Sequence, residues 1–186
     1  MELMDNFKNY IQENFFYIIE NQSEMNLVEH KGKQYQVTIK VDKEENKFLV
    51  IHNLEDLKKD HASYLKQHPK DCDYIILDLI EKIVYVIELK DTDITNSNFM
   101  KQLRAGEYWL EHLLFCCQLE GYTEHWQVKR VGIRYDSTRP SKVRRPRKAD
   151  QSDNLPSPFK YMRDVSGYDL FVFRGNVFHL SSLIPV

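Results

Sequence analysis

Residues 73–90, DYIILDLIEKIVYVIELK, hold two apolar runs with only a short charged link between them. Runs this rich in isoleucine, valine and tyrosine read as strands buried on both faces. The link around Glu81 and Lys82 is too short for a crossover, so the runs form an antiparallel hairpin. A loop of Ile80-Glu81, or a longer one from Leu79 to Lys82, gives one register, which a three-residue loop would shift by one. Asp78 then faces Ile83, Leu77 faces Val84 and Ile75 faces Val86. Continued to the open end, the same register sets Asp73 opposite Glu88. Facing residues on a sheet lie about 4.5–5.5 Å apart at Cβ. Alternation puts Lys90 on that face as well. Two carboxylates and an ammonium are thus expected together at the open end of a buried hairpin.

The rest of the chain supplies covers for that hairpin. Met4, Phe7, Ile11, Phe15 and Ile18 recur at steps of three and four, which predicts one long first helix. KQYQVTIKVD and KFLVIHNL read as strands joined by a turn at KEEN, and a short helix follows from Leu54 to about Gln67, before Pro69. Phe99, Leu103, Leu110, Leu113 and Leu114 form a helical stripe, with an N-cap near Ser97 and Gly121 as its stop. WQVKRVGIRYD is a further strand, and the C-terminal region reads as a hairpin turning at RGN. That order predicts a mixed α/β or α+β domain. At 186 residues the chain is about one domain.

Two like charges facing each other destabilise a sheet. A hard divalent cation would compensate, because Mg²⁺ takes one or two carboxylates together with water and phosphate oxygens. Asp73, Glu88 and the backbone carbonyl of Leu89 are the candidate metal ligands. Lys90 could orient a water or stabilise charge on a phosphate. The set suits metal-assisted hydrolysis of a phosphodiester. Charged residues at strand ends also serve simply to solvate them. It is the combination of acid, triplet, apolar runs and following helix that favours a site.

The stretch from CD to ELK resembles the core of the PD-(D/E)xK nuclease superfamily, the restriction-endonuclease-like fold. Asp73, Glu88 and Lys90 match the three motif positions. Gln102, in KQLRAGEY, is similar to the glutamine that many members carry on the next helix. Cys72 stands where the family usually has proline, and Gly106 stands four residues after Gln102, where tyrosine is frequent. The resemblance covers roughly residues 71–135 and the first helix. It implies helices flanking a central mixed sheet, Mg²⁺ or Mn²⁺ as cofactor, and an acid from the first helix, for which Glu13 and Glu20 are the candidates. It makes residues 1–186 one nuclease-like domain, with strands and a short helix inserted at about 33–67 and a basic mobile loop at about 137–160. The implied substrate is nucleic acid, with DNA expected, in defence or repair. A homodimer or a larger protein complex fits the same family. The alternative is a catalytically weak or inactive module of this fold that binds nucleic acid or assembles with a partner.

Net charge is −2, so affinity for nucleic acid has to come from local clusters. Arg139, Lys142, Arg144, Arg145, Arg147 and Lys148 form one, with no acid among them, and phosphate contact is the expectation for it. The seven histidines form no metal-ligand pair, and the three cysteines have neither disulfide nor zinc spacing. The N-terminal MELMDNFKNY has no basic n-region or apolar h-region. No apolar run approaches the ~20 residues that span a bilayer. A cytoplasmic protein that does not enter membranes is therefore expected.

Overall fold

The computed structural model describes residues 2–29, 35–61, 70–90, 97–134, 160–163 and 169–183. The hairpin at its centre consists of β5 (Tyr74–Asp78) and β6 (Ile83–Lys90), and every residue of both strands except Lys90 is buried. Their pairing runs from Asp78↔Ile83 to Tyr74↔Ile87, the register that the apolar runs dictate. Asp78 Oδ1 accepts the N–H groups of Ile80 and Glu81, which pins the four-residue loop.

Burial on both faces requires two covers. β5 and β6 sit inside a seven-stranded mixed sheet with β1 (Phe16–Glu20), β4 (Lys47–His52), β7 (Gln127–Arg134), β8 (Lys160–Arg163) and β9 (Asp169–Arg174), ordered β1-β4-β5-β6-β7-β9-β8. One face carries Leu49, Ile75, Leu77, Val84 and Val86. It packs against α1 (Glu2–Tyr10), α2 (Leu54–His61) and α3 (Ser97–Cys116) through Leu3, Phe7, Leu54, Leu57, Phe99, Leu103, Leu110, Leu113 and Leu114. The other face carries Phe48, Val50, Ile76, Tyr85 and Ile87. It packs against a three-stranded sheet of β2 (Glu24–Glu29), β3 (Tyr35–Lys40) and β10 (Val177–His179), ordered β10-β3-β2. The molecule is therefore a mixed α+β domain with two mixed sheets. No helix among the described residues is long and apolar enough to cross a membrane.

Several local expectations change. The first helix ends at Tyr10, and Gln12 is already extended (ψ 138°). The aromatic and β-branched run FYIIE then pairs with β4 as a strand, so tertiary pairing overrides the helical spacing of Phe15 and Ile18. The strands flanking KEEN do not pair with each other: β3 belongs to the small sheet and β4 to the large one. Residues 33–67 thus supply an inner strand of the main sheet, β4. The two strands flanking RGN also separate, because β9 lies parallel to β7 and β10 parallel to β3. Gly175 allows this divergence with φ 140°. α3 closes not at Gly121 but at Gln118, whose φ of 60° places Leu119 N–H on Leu114 O at 2.8 Å.

α3 lies close on the hairpin at one point. A Cβ on Gly106 would overlap Cys72 Sγ and come within 2.9 Å of Val86 Cγ1. That contact accounts for the residue types at both positions: a small side chain at 72 and none at 106 let the helix approach the strands. Gly106→Ala is expected to destabilise the protein by about 1–3 kcal/mol through overpacking, outweighing the roughly 1 kcal/mol that alanine gains in a helix. Urea unfolding measures it, and the same change in a Cys72→Ala background should cost less.

Candidate active site

The backbone that enters β5 is anchored before it reaches Asp73. Asp71 and Lys58 of α2 form an ion pair whose side chains are 0% and 4% exposed. Burial raises the Asp71 pKa, opposed by Lys58 and by a hydrogen bond from Trp109. Cys72 follows beneath Gly106. Its thiol is kept protonated first by burial and then by the charges of Glu88, Asp73 and Asp71.

At Asp73 the chain leaves the regular ladder. Its N–H donates to Ile87 O at 3.1 Å, whereas continued register would turn that N–H away from β6. Its Oδ2 accepts the N–H of Leu89 at 2.7 Å. The paired register therefore ends at Tyr74↔Ile87, and Asp73 does not face Glu88 directly. Its carboxylate instead occupies the next ladder position, beside the middle residue of the ELK triplet. The physical reason is the repulsion expected between facing carboxylates, which this shift relieves.

Glu88 is 1% exposed and shares its sheet face with Val84 and Val86, towards α3. Its Oε1 accepts Gln102 Nε2 at 2.7 Å and forms an ion pair with Lys90 Nζ. Gln102, itself buried, also donates to Asp71 O at 3.3 Å. One amide thus ties the approach to β5 to the acid on β6, across a helix that leucine packing has already fixed. Lys90 is the outermost member: its side chain is 25% exposed, against 2% for Glu88. Beside the cluster, Arg130 of β7 grips Glu107 of α3 through Nε and Nη2, both at 2.5 Å.

Of the expected site residues, the structure gathers Asp73, Glu88, Leu89, Lys90 and Gln102. Neither of the two upstream acids lies on the first helix, α1. Glu20 ends β1 opposite Lys47, at the far end of the sheet from Asp73, and contacts Lys47 Nζ at 3.3 Å. Glu13 lies in a short 3₁₀ turn ahead of β1 and is exposed. Arg139, Lys142, Arg144, Arg145, Arg147 and Lys148 lie outside the described residues. Sequence reasoning missed Lys58 and Asp71. The available signal was an acid two residues ahead of Asp73, in KDCD.

No protein-family model, no curated protein and no solved structure matches this chain. The site's chemistry has to be judged from its own donors. Among the described residues, no three His, Cys, Asp or Glu side chains converge to hold a metal. What is present is a pair of carboxylates and the Leu89 backbone. Leu89 directs its N–H to the β5 side, and in a strand the carbonyl of the same residue points the same way. Hard oxygen donors in that number fit Mg²⁺ or Mn²⁺, which complete their shells with water and phosphate.

Proposed function

We propose that this protein is a metal-dependent nuclease with a restriction-endonuclease-like core, acting on DNA. The observation that carries the reading is the convergence of Lys90 and Gln102 on one oxygen of buried Glu88, with Asp73 held at the adjacent Leu89. Asp73, Glu88 and the Leu89 carbonyl would hold Mg²⁺ or Mn²⁺. Such an ion supplies Lewis acidity and lowers the pKa of bound water. Gln102 fixes the carboxylate of Glu88, so that little reorganisation remains when substrate arrives. Lys90, nearest to solvent, meets the incoming phosphate first. Its ammonium orients the attacking water and offsets charge growing on the phosphate oxygens. Defence against foreign DNA, or repair, is the setting that the family resemblance implies.

Supercoiled plasmid incubated with the protein and Mg²⁺ or Mn²⁺ should be nicked or linearised, and EDTA should stop it. A parallel RNA substrate separates the two nucleic acids. A folded protein that cleaves neither in any divalent metal would overturn the reading. Binding without cleavage would mark it instead as a binding or assembly module.

A further inference from the structure

The face of α3 turned away from the sheet carries a pattern of its own. Lys101, Tyr108 and Phe115 recur at steps of seven, with Glu111 and His112 between the last two. That spacing makes one stripe along a helix. Leu103, Leu110, Leu113 and Leu114 point the other way, into the core. Tyr108 is 71% exposed and Phe115 59%, and Lys101, Glu111 and His112 are exposed with them. Large aromatics that line up in solvent mark interaction sites. Leucine packing fixes the backbone beneath, and Trp109 braces His112 edge-on at 5.4 Å, so little order has to be gained on binding. The stripe stands as a ridge between two grooves. Tyr10, Trp109 and Cys116 border one of about 280 Å³, and Leu114, Glu120 and Trp126 border the other, of about 520 Å³. Helices pack by setting such ridges into such grooves.

The charges select the occupant. The stripe is basic at Lys101 and acidic at Glu111, and exposed Glu120 follows the helix. α3 has no acid in its first turn and no base in its last. A second α3 laid antiparallel brings Glu120 of one copy to Lys101 of the other, so each helix end gains the sign of charge that its dipole favours. A parallel copy would set lysine on lysine and glutamate on glutamate. With a two-fold axis between Glu111 and His112, Tyr108 of each copy meets Phe115 of the other. Glu111 then meets His112, whose ring N–H can donate to the carboxylate. Every contact occurs twice, as isologous pairing requires.

We propose that the protein forms a two-fold dimer through the outer face of α3, with Tyr108 and Phe115 as its anchors and the Lys101–Glu120 pairs at its ends. The inference does not rest on the nuclease reading, because the stripe lies on the side of α3 away from the sheet that carries Glu88.

The test is sedimentation velocity of the full chain over a concentration series, with thermal melts to show that each variant is folded. The wild type is expected to move to twice the chain mass as concentration rises. Tyr108→Glu and Phe115→Glu should each raise the dimer Kd by about 30-fold or more, because an aromatic anchor is lost from both copies at once. Lys101→Glu should weaken the dimer several-fold. Lys101→Glu/Glu120→Lys, which restores opposite charges, should return the Kd to near the wild-type value. His112→Cys in a Cys116→Ser background sets two thiols at the axis, within disulfide reach. Mild oxidation should then give a covalent dimer, and adding Phe115→Glu should prevent it. A wild type that stays monomeric at every concentration overturns the proposal and leaves the face to a different protein. A dimer indifferent to Tyr108→Glu/Phe115→Glu, or a charge-swapped variant no tighter than Lys101→Glu, overturns it as well.

Discussion

Lys90→Ala is expected to lose metal-dependent DNA cleavage by on the order of 10³-fold while remaining folded. Removing a single positioned donor from a site of developing charge costs about 10²–10³ in rate. Lys90 sits at the upper end of that range because its one ammonium has two tasks, to orient water and to offset negative charge. The fold should tolerate the change. The side chain is 25% exposed at the end of its strand, and Gln102 still holds the same oxygen of Glu88. Initial rates of plasmid nicking at saturating Mn²⁺, set beside thermal melts, separate the two effects. A folded Lys90→Ala protein that nicks at the wild-type rate would remove Lys90 from the chemistry. If nicking persists in Glu88→Gln as well, the whole cluster is acquitted.

The hairpin was legible because two constraints agree in it. Apolar runs say where the strands lie, and a link without room for a crossover makes them a hairpin, whose register a two- or four-residue loop then sets. The deviation at Asp73 was not legible, since it follows from repulsion between two carboxylates and an N–H group of Leu89 that becomes available at the ladder's end. The helical stripe of α3 could be read directly, because leucines at helical spacing have few other uses. By contrast, the stretch after Tyr10 satisfies helical spacing and strand composition together. Only the partner strand β4, distant in sequence, decides between them. The division into two sheets was hidden for the same reason: β6 with β7, β7 with β9 and β3 with β10 are parallel pairs between segments far apart. Gln102 could be found from the family pattern. Its link to Asp71 could not, because it passes through a backbone carbonyl.

Lys58→Met is expected to destabilise the protein more than any other single change considered, by about 3–5 kcal/mol, because removing one partner of a buried ion pair leaves the other charge uncompensated. Both side chains are almost wholly out of solvent, at 4% and 0% exposed. The sign of the pH dependence follows from Asp71. Its folded pKa already lies above the unfolded value near 3.8, first because of burial, with Lys58 pulling it back. A raised carboxyl pKa means that the folded state holds the proton more tightly than the unfolded one. The stability from that proton is full below the unfolded pKa and is lost as pH rises through the folded pKa. Without Lys58 the folded pKa rises further, so the window extends towards neutral pH. The gap between wild type and Lys58→Met should therefore be widest near pH 7 and narrow as the solution is acidified towards pH 5. Lys58→Met/Asp71→Asn, which carries no buried charge, should recover much of the loss and lack this pH dependence. Urea unfolding at each pH decides: a variant within 1 kcal/mol of wild type, or a gap that stays constant on acidification, would show that the pair is not held as described. The consequence reaches the site, because the carbonyl of Asp71 receives Gln102, whose other contact is Glu88. The pair that secures the approach to β5 thereby also secures the carboxylate on which the proposed chemistry depends.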